Sequence, residues 1–342
     1  PLVPESTLEK ACEKIWNNFK SETNNQYWNF IGVSNLRYIH SNKMNPLTID
    51  GTKVQGRSLE YLKDVGLQKE ILNEIEKDWG GFGASSYILL AQKRVKKNPS
   101  NFILTDTTFW LESIRLLGAM RLANAGDISM STMWVTTSVK FNVGRGGYLR
   151  IGYSVPATSS GIRYSLKKSQ EKKIQKIYNN LKKLETNGYH NAPGNLDLAL
   201  KSFMSTYDKY PSGSDAQLLD LITSIEAVLG TDREISFRLA FRLSGLLAKN
   251  NIERRHIFKA MKHFYDTRSK LVHGVRLKSP NQNILNEVVE IKKYARRILE
   301  AFVSLAAKSN PKYSRKFFEN ELDEVLQDET ARKKLQSYLG LI

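Results

Sequence analysis

The sequence predicts a predominantly helical protein in two parts, an α+β domain over residues 1–160 and an all-α helical bundle over residues 161–342. Three observations predict it. Two runs of β-type alternation, Met130 to Phe141 and Tyr148 to Val155, flank the glycine-rich joint Asn142-Val-Gly-Arg-Gly-Gly147, which is the pattern of a hairpin. Pro156-Ala-Thr-Ser-Ser-Gly161 is a linker of small residues. Beyond it the chain reads as helix throughout, with apolar residues recurring at helical spacing.

In the first part, Leu8, Cys12, Ile15, Trp16 and Phe19 mark a helix over residues 7–21, and the aromatic run Tyr27 to Ile31 marks a strand. The pattern weakens from Asn45 to Gly80, where Leu67, Ile71 and Ile75 suggest one helix. Trp79-Gly-Gly-Phe-Gly83 is a turn-rich break, and Tyr87 to Ala91 reads as a buried strand. A helix follows over Thr107 to Ala125, with Phe109, Leu111, Ile114, Leu116, Leu117, Met120 and Leu122 on its buried side. The joint at 142–147 matches neither a dinucleotide-binding nor a Walker pattern, so it gives no phosphate loop.

In the second part, Leu166 to Leu184 has Ile174, Ile177, Tyr178 and Leu181 as its apolar stripe and many lysines outside it. After a break at Asn187 to Gly194, Leu196 to Tyr207 forms the next helix. Ser214 and Gln217 have capping-box form, and Gly230 is placed to end that helix in a left-handed cap. The stripe Leu218, Ile222, Ile225 and Leu229 has Glu226 about 40° from Ile222. A carboxylate leaning into an apolar face needs a cation, and Arg268, Arg238 and Arg242 are the candidates. Glu234 to Lys249 forms a helix with Phe237, Ala240, Phe241 and Ala248 on one side, and Asn251 to His273 forms another. A long helix over Ile284 to Ala307 carries Lys292, Lys293, Arg296 and Arg297, and the tail from Pro311 holds one or two shorter helices.

Composition narrows the function classes. The 342 residues carry a net charge of +18, of which +5 falls in residues 1–160 and +13 in residues 161–342, counting Lys and Arg against Asp and Glu. A surface this basic attracts polyanions. The longest uncharged stretches fall short of the roughly 18 apolar residues of a membrane span. With no signal-peptide pattern at its start, the chain reads as a soluble cytoplasmic protein without membrane attachment. The single cysteine, Cys12, allows no intramolecular disulfide and no cysteine-built zinc site.

One stretch stands apart, Tyr265-Asp-Thr-Arg-Ser-Lys-Leu-Val-His-Gly274. With Ile257 at the origin of an ideal helix, Met261, Phe264, Leu271 and Val272 fall within roughly 60° of one line, and Arg268 falls among them. A guanidinium cannot shed its proton, so on an apolar stripe it needs a partner or a task. Arg268 and His273 together resemble the RX4-6H motif of the HEPN superfamily, helical domains of which many members are ribonucleases. Asp220 to Gly230, Ile235 to Leu243 and Tyr265 to Gly274, in that order, resemble the Apea-like HEPN group, over roughly residues 196–305. The resemblance implies a HEPN-like bundle and a metal-independent endoribonuclease acting at a composite homodimer site. It also implies a place in prokaryotic toxin–antitoxin or antiviral defence systems, with an antitoxin or defence partner.

The chemistry can be stated from the residues. Cleaving RNA by its own 2′-hydroxyl needs a base, an acid for the leaving 5′-oxygen, and a cation for the phosphorane charge. Histidine can be base or acid near neutral pH, and arginine serves only as the cation. One motif supplies one proton carrier where two are wanted, and a homodimer would supply both. Arg268, His273 and Ser269 are the candidate catalytic residues; Lys270, Arg276, Lys278 and Arg242 are candidate substrate contacts; Glu226 and Asp266 are candidate supports. About 140° separates His273 from Arg268 on an ideal helix, which a frayed or tightened last turn would have to close unless the partner copy does. His256 and His263 share a helix face, but about 10 Å along the axis is too far for one ion, so no metal is expected. Two other readings stay open: a non-catalytic HEPN module that binds nucleic acid or protein, with Arg268 a structural partner of Glu226 and His273 a polar cap; and a regulator that binds duplex DNA through Lys292 to Arg297.

Overall fold

The computed structural model describes residues 10, 13, 27–37, 39–40, 47–56, 72–73, 87–96, 102–137, 148–152, 164–189, 192–208, 213–230, 233–274, 282–308 and 310–342. The helices expected at 7–21 and 67–75 lie outside these except for Lys10, Glu13, Leu72 and Asn73, and so do the joint at 142–147 and the linker at 156–161. The fold is predominantly helical, with its strands at residues 27–165.

Six strands form one sheet: β1 (Tyr27–Arg37), β3 (Leu47–Ile49), β4 (Thr52–Gly56), β5 (Tyr87–Lys96), β6 (Ser129–Thr137) and β7 (Tyr148–Gly152). Their order is β3-β4-β5-β1-β6-β7, and every neighbouring pair is antiparallel. The expected hairpin is therefore present as β6 and β7, with Thr136 opposite Tyr148. The short strands β2 (Ile39–His40) and β8 (Tyr164–Ser165) pair in parallel. The hairpin of β3 and β4 closes through Asp50 and Gly51, both at positive φ (46° and 82°), as a two-residue type I′ turn requires.

Helix α1 (Phe102–Ala123) precedes β6. The helices of the second part are α2 (Glu171–Asn187), α3 (Leu196–Asp208), α4 (Ser214–Leu229), α5 (Ile235–Leu247), α6 (Asn251–Val272), α7 (Gln282–Lys308), α8 (Arg315–Asn320), α9 (Leu322–Gln327) and α10 (Glu329–Leu339). One buried cluster includes Leu47, Ile49 and Val54 from the β3–β4 hairpin, Leu116 and Met120 from α1, and apolar side chains of every helix from α2 to α10. The core thus runs unbroken from one side of the 156–161 linker to the other.

A buried group of cations joins α1, α3 and α7. Arg121 donates to both carboxylate oxygens of Asp208 (2.8 and 2.6 Å) and to the Ile128 carbonyl (3.1 Å), while Arg296 donates to the Arg121 carbonyl (3.0 Å). Lys292 Nζ sits 3.5 Å from the centre of the Tyr207 ring and 3.8 Å from Asp127. Burial pushes the Lys292 pKa down. Burial alone would push Tyr207 up, but Lys292, Arg296 and Arg121 together hold its hydroxyl below the ordinary value. This removes two of the four cations from the duplex-reading face expected of α7, because Lys292 and Arg296 point inward and are under a tenth exposed.

Other expectations at helix ends are also corrected. Gly213, not Ser214, is the N-cap of α4, and Gln217 donates instead to the Thr206 carbonyl of α3 (3.0 Å). Gly230 is extended (φ −66°), not left-handed. Glycine is required there for space, since an added Cβ would stand 2.4 Å from the Glu226 carbonyl oxygen. The end of α5 is held from α10: Arg332, fully buried and paired with Glu329, donates to the carbonyls of Gly245 and Ala248, and Gln336 donates to those of Gly245, Leu246 and Ala248. The last carbonyls of a helix lack partners within it, so these side chains satisfy groups that would otherwise be buried bare.

The β3–β4 hairpin docks on α2 through polar contacts. The Thr48 amide donates to Glu171 (3.0 Å), the Asp50 amide donates to Gln175 (2.9 Å), and Lys182 donates to the Asp50 carboxylate (2.6 Å). The Lys182 hydrogen bond holds the Asp50 pKa below its ordinary 3.8. A depressed carboxylate adds stability that is present above the unfolded pKa and lost as pH falls through the folded one. The pair is partly exposed, so its share is at most about 1 kcal/mol. In an NMR titration Asp50 should therefore titrate below 3.8 in the wild type and close to that value in Lys182→Ala. Equal titration in both proteins would contradict the docking contact.

Candidate functional site

The candidate site lies on the last turns of α6. This helix starts at an Asn250 N-cap whose side chain accepts from the Glu253 amide, and its buried residues are Ile257, Met261, Phe264 and Thr267. Ile257, Met261 and Phe264 pack into the core of the same chain, so the buried part of the stripe is not free to meet a second copy. Burial then fades along the helix: Leu271 is half-buried, and Val272 is 59% exposed.

Arg268 lies about 20° from the Ile257 origin, in the middle of the stripe, at the level where the core ends. Its side chain is 28% exposed. One Nη is 3.3 Å from Glu226 Oε2, and the guanidinium carbon is 5.4 Å from the centre of the Tyr265 ring. Glu226 thus meets Arg268, the first of its three candidate partners. Arg238 and Arg242 face Asp323 of α9 instead.

His273 is the C-cap of α6 and is exposed. Its amide donates to the Ser269 carbonyl (3.1 Å), an ordinary α-helical bond, and Gly274, at φ +69°, donates to Leu271 (3.1 Å). Tightening therefore begins only after His273, and the rotation of about 140° between Arg268 and His273 is retained. Within one chain the two side chains leave the helix on different faces.

Ser269 is half-buried, and Asp266 and Lys270 are exposed. Arg276 and Lys278 lie outside the described residues. Arg242 departs from its expected role as a substrate contact. It is buried, donates through Nε and Nη2 to Asp323 (2.6 and 2.9 Å) and through Nη1 to the Leu229 carbonyl (3.1 Å), and so ties the end of α4 to α9. His256 and His263 are each bonded to a glutamate of α7, Glu290 (2.9 Å) and Glu287 (2.8 Å). Among the described residues no group of three or more His, Cys, Asp or Glu side chains could hold a metal ion, and no helix is long and apolar enough to cross a membrane.

Three residues absent from the sequence reading share the outward face. On the same helical wheel Arg255, Lys259, Lys262, Asp266, Lys270 and His273 fall between about 140° and 220°, and all six are exposed. His273 therefore stands at the end of a basic stripe interrupted by a single acid. Plotting charged rather than apolar positions on that wheel would have found it.

No protein-family model, curated protein or solved structure matches this chain.

The Arg268–Glu226 pair is partly exposed (28% and 24%) and its closest approach is 3.3 Å, so its coupling in a double-mutant cycle should be about 1 kcal/mol. Urea unfolding of Arg268→Ala, Glu226→Gln and the double variant measures it. A coupling of several kcal/mol would make Arg268 mainly a structural residue.

Proposed function

We propose that the protein is a HEPN-type endoribonuclease that cuts RNA without a metal ion, at a site composed of α6 ends from two copies of the chain. The observation that carries this reading is the pairing of an exposed His273 at the end of a basic stripe with an Arg268 that emerges on a different face of the same helix. Neither side chain completes a site with the other in one chain. A second copy would supply what each lacks, and the exposed Val272 beside His273 is an apolar contact for it.

In this mechanism the 2′-hydroxyl of the substrate gives its proton to one His273 as its oxygen attacks the phosphorus. The bond to the 5′-oxygen breaks, and that oxygen takes a proton from the partner's His273, leaving a 2′,3′-cyclic phosphate and a 5′-hydroxyl. Arg268 balances the charge on the phosphorane, and Glu226 fixes the direction of its guanidinium. Lys259, Lys262 and Lys270 hold the strand by its phosphates, a contact that positions without reading sequence. Such an activity suits a toxin or antiviral effector held in check by a partner.

The Arg268–Glu226 contact favours a second reading, in which the ion pair is structural and the same dimer binds nucleic acid or a partner protein without cutting. Incubation of purified protein with single-stranded RNA in EDTA separates the two. The nuclease reading expects cyclic-phosphate products and losses of about 100-fold or more for His273→Ala and for Arg268→Ala. Absence of cleavage by the wild type, or cleavage that survives both substitutions in folded protein, supports the binding module instead.

A further inference from the structure

A second basic surface lies far from His273. Helix α2 carries five lysines between residues 172 and 183, and a groove runs along each side of it. One groove, of about 850 Å³, lies between α2 and Thr48 of the β3–β4 hairpin. The other, of about 560 Å³, lies between α2, α7 and the segment Leu339 to Leu341. Lys172, Lys176 and Asn180 line both, so they form the ridge between them.

Several charges on this ridge are unpaired among the described residues. Lys173 pairs with Glu300 and Lys182 with Asp50, but Lys172, Lys176 and Lys183 have no ion pair among the described residues. All three are exposed. Among the described residues lining the larger groove, the one carboxylate, Glu171, is held by Lys168 and the Thr48 amide. The remaining lining is rich in amides, including Asn179, Asn180 and Asn187, which can both donate and accept. No large apolar side chain is exposed on α2, so nothing there would anchor a lipid surface.

The position is separate from the α6 site. Helices α6 and α7 run antiparallel, with His263 opposite Glu287, and Lys173 meets α7 at Glu300. Thirteen residues along α7 and ten along α6 put the ridge about 35 Å from His273 along the bundle axis.

We propose that the grooves flanking α2 bind the phosphodiester backbone of single-stranded RNA, with Lys172, Lys176 and Lys183 as phosphate contacts. A flexible strand can lie along a groove beside a convex ridge, where a rigid duplex would touch the ridge alone. The site rests on the grooves and their charges; the choice of RNA among polyanions rests on the nuclease reading.

The test measures binding of a fluorescent single-stranded RNA by anisotropy across a salt series, using the full chain with His273→Ala so that the strand stays intact. Lys172→Glu/Lys176→Glu/Lys183→Glu in that background should weaken binding at least tenfold, and the matching Lys→Gln triple should lower the slope of log affinity against log salt by about 2, at about 0.7 per lost contact. Unchanged affinity and slope in both folded triples would overturn the proposal even if the wild type cuts RNA. Lysine-dependent RNA binding in a wild type that does not cut would keep this surface and overturn the nuclease. Phosphate contacts give similar affinity for single-stranded DNA of the same length, whereas tighter binding to phosphatidylserine vesicles would overturn the assignment to a nucleic acid strand.

Discussion

The rotation of α6 about its own axis governs the nuclease site proposed for this protein. Ile257, Met261 and Phe264 are each at most 2% exposed, and burying three such side chains contributes roughly 1.5–3 kcal/mol apiece. That fixes which way the helix faces. With the stripe turned inward, Arg268 must come out where the core ends, Val272 must meet solvent, and the lysines at 259, 262 and 270 must line the opposite side with His273. A rotation of one residue, about 100°, would bring one of those charges into the apolar core. Glu226 then completes the arrangement by giving Arg268 a partner at the boundary between core and water.

The surrounding helices make that rotation rigid. Asn250 caps the start of α6, while His256 and His263 tie its side to Glu290 and Glu287 of α7. Helix α5, packed beside α6, has its last carbonyls held by Arg332 and Gln336. Basic residues thus divide into two groups with different physical roles. Arg121, Arg242, Arg296 and Arg332 are buried and saturate carbonyls or carboxylates. The lysines of α2 and of the outward face of α6 are exposed. A net charge of +18 alone could not separate the two groups.

Much of the bundle was legible because helical periodicity reports burial directly. Leu218, Ile222, Ile225 and Leu229 are all buried as the spacing requires, and the misfit Glu226 found its cation. What was not legible depends on contacts between elements distant in sequence. Arg242 and Arg238 looked like partners for Glu226, but Asp323, some eighty residues later, takes them. Lys292 and Arg296 read as part of a basic run until the Asp127 carboxylate, the Arg121 carbonyl of α1 and the Tyr207 ring of α3 bury them. Phe237, placed by its spacing on one side with Ala240 and Phe241, is half-exposed, stacks on Phe241 and meets Phe258 edge to face. The β3–β4 hairpin was missed although its signal is local, since Asp50-Gly51 between Leu47, Ile49 and Val54 is a strong turn dipeptide.

The claim that matters most is that one working site needs the histidines of two chains. Mixing wild type with His273→Ala protein, unfolding and refolding them together at several ratios, and measuring RNA cleavage in EDTA tests it directly. If each site needs both histidines, activity falls as the square of the wild-type fraction. A fall in simple proportion to that fraction would mean that each chain cuts with its own His273, and the composite site would be wrong.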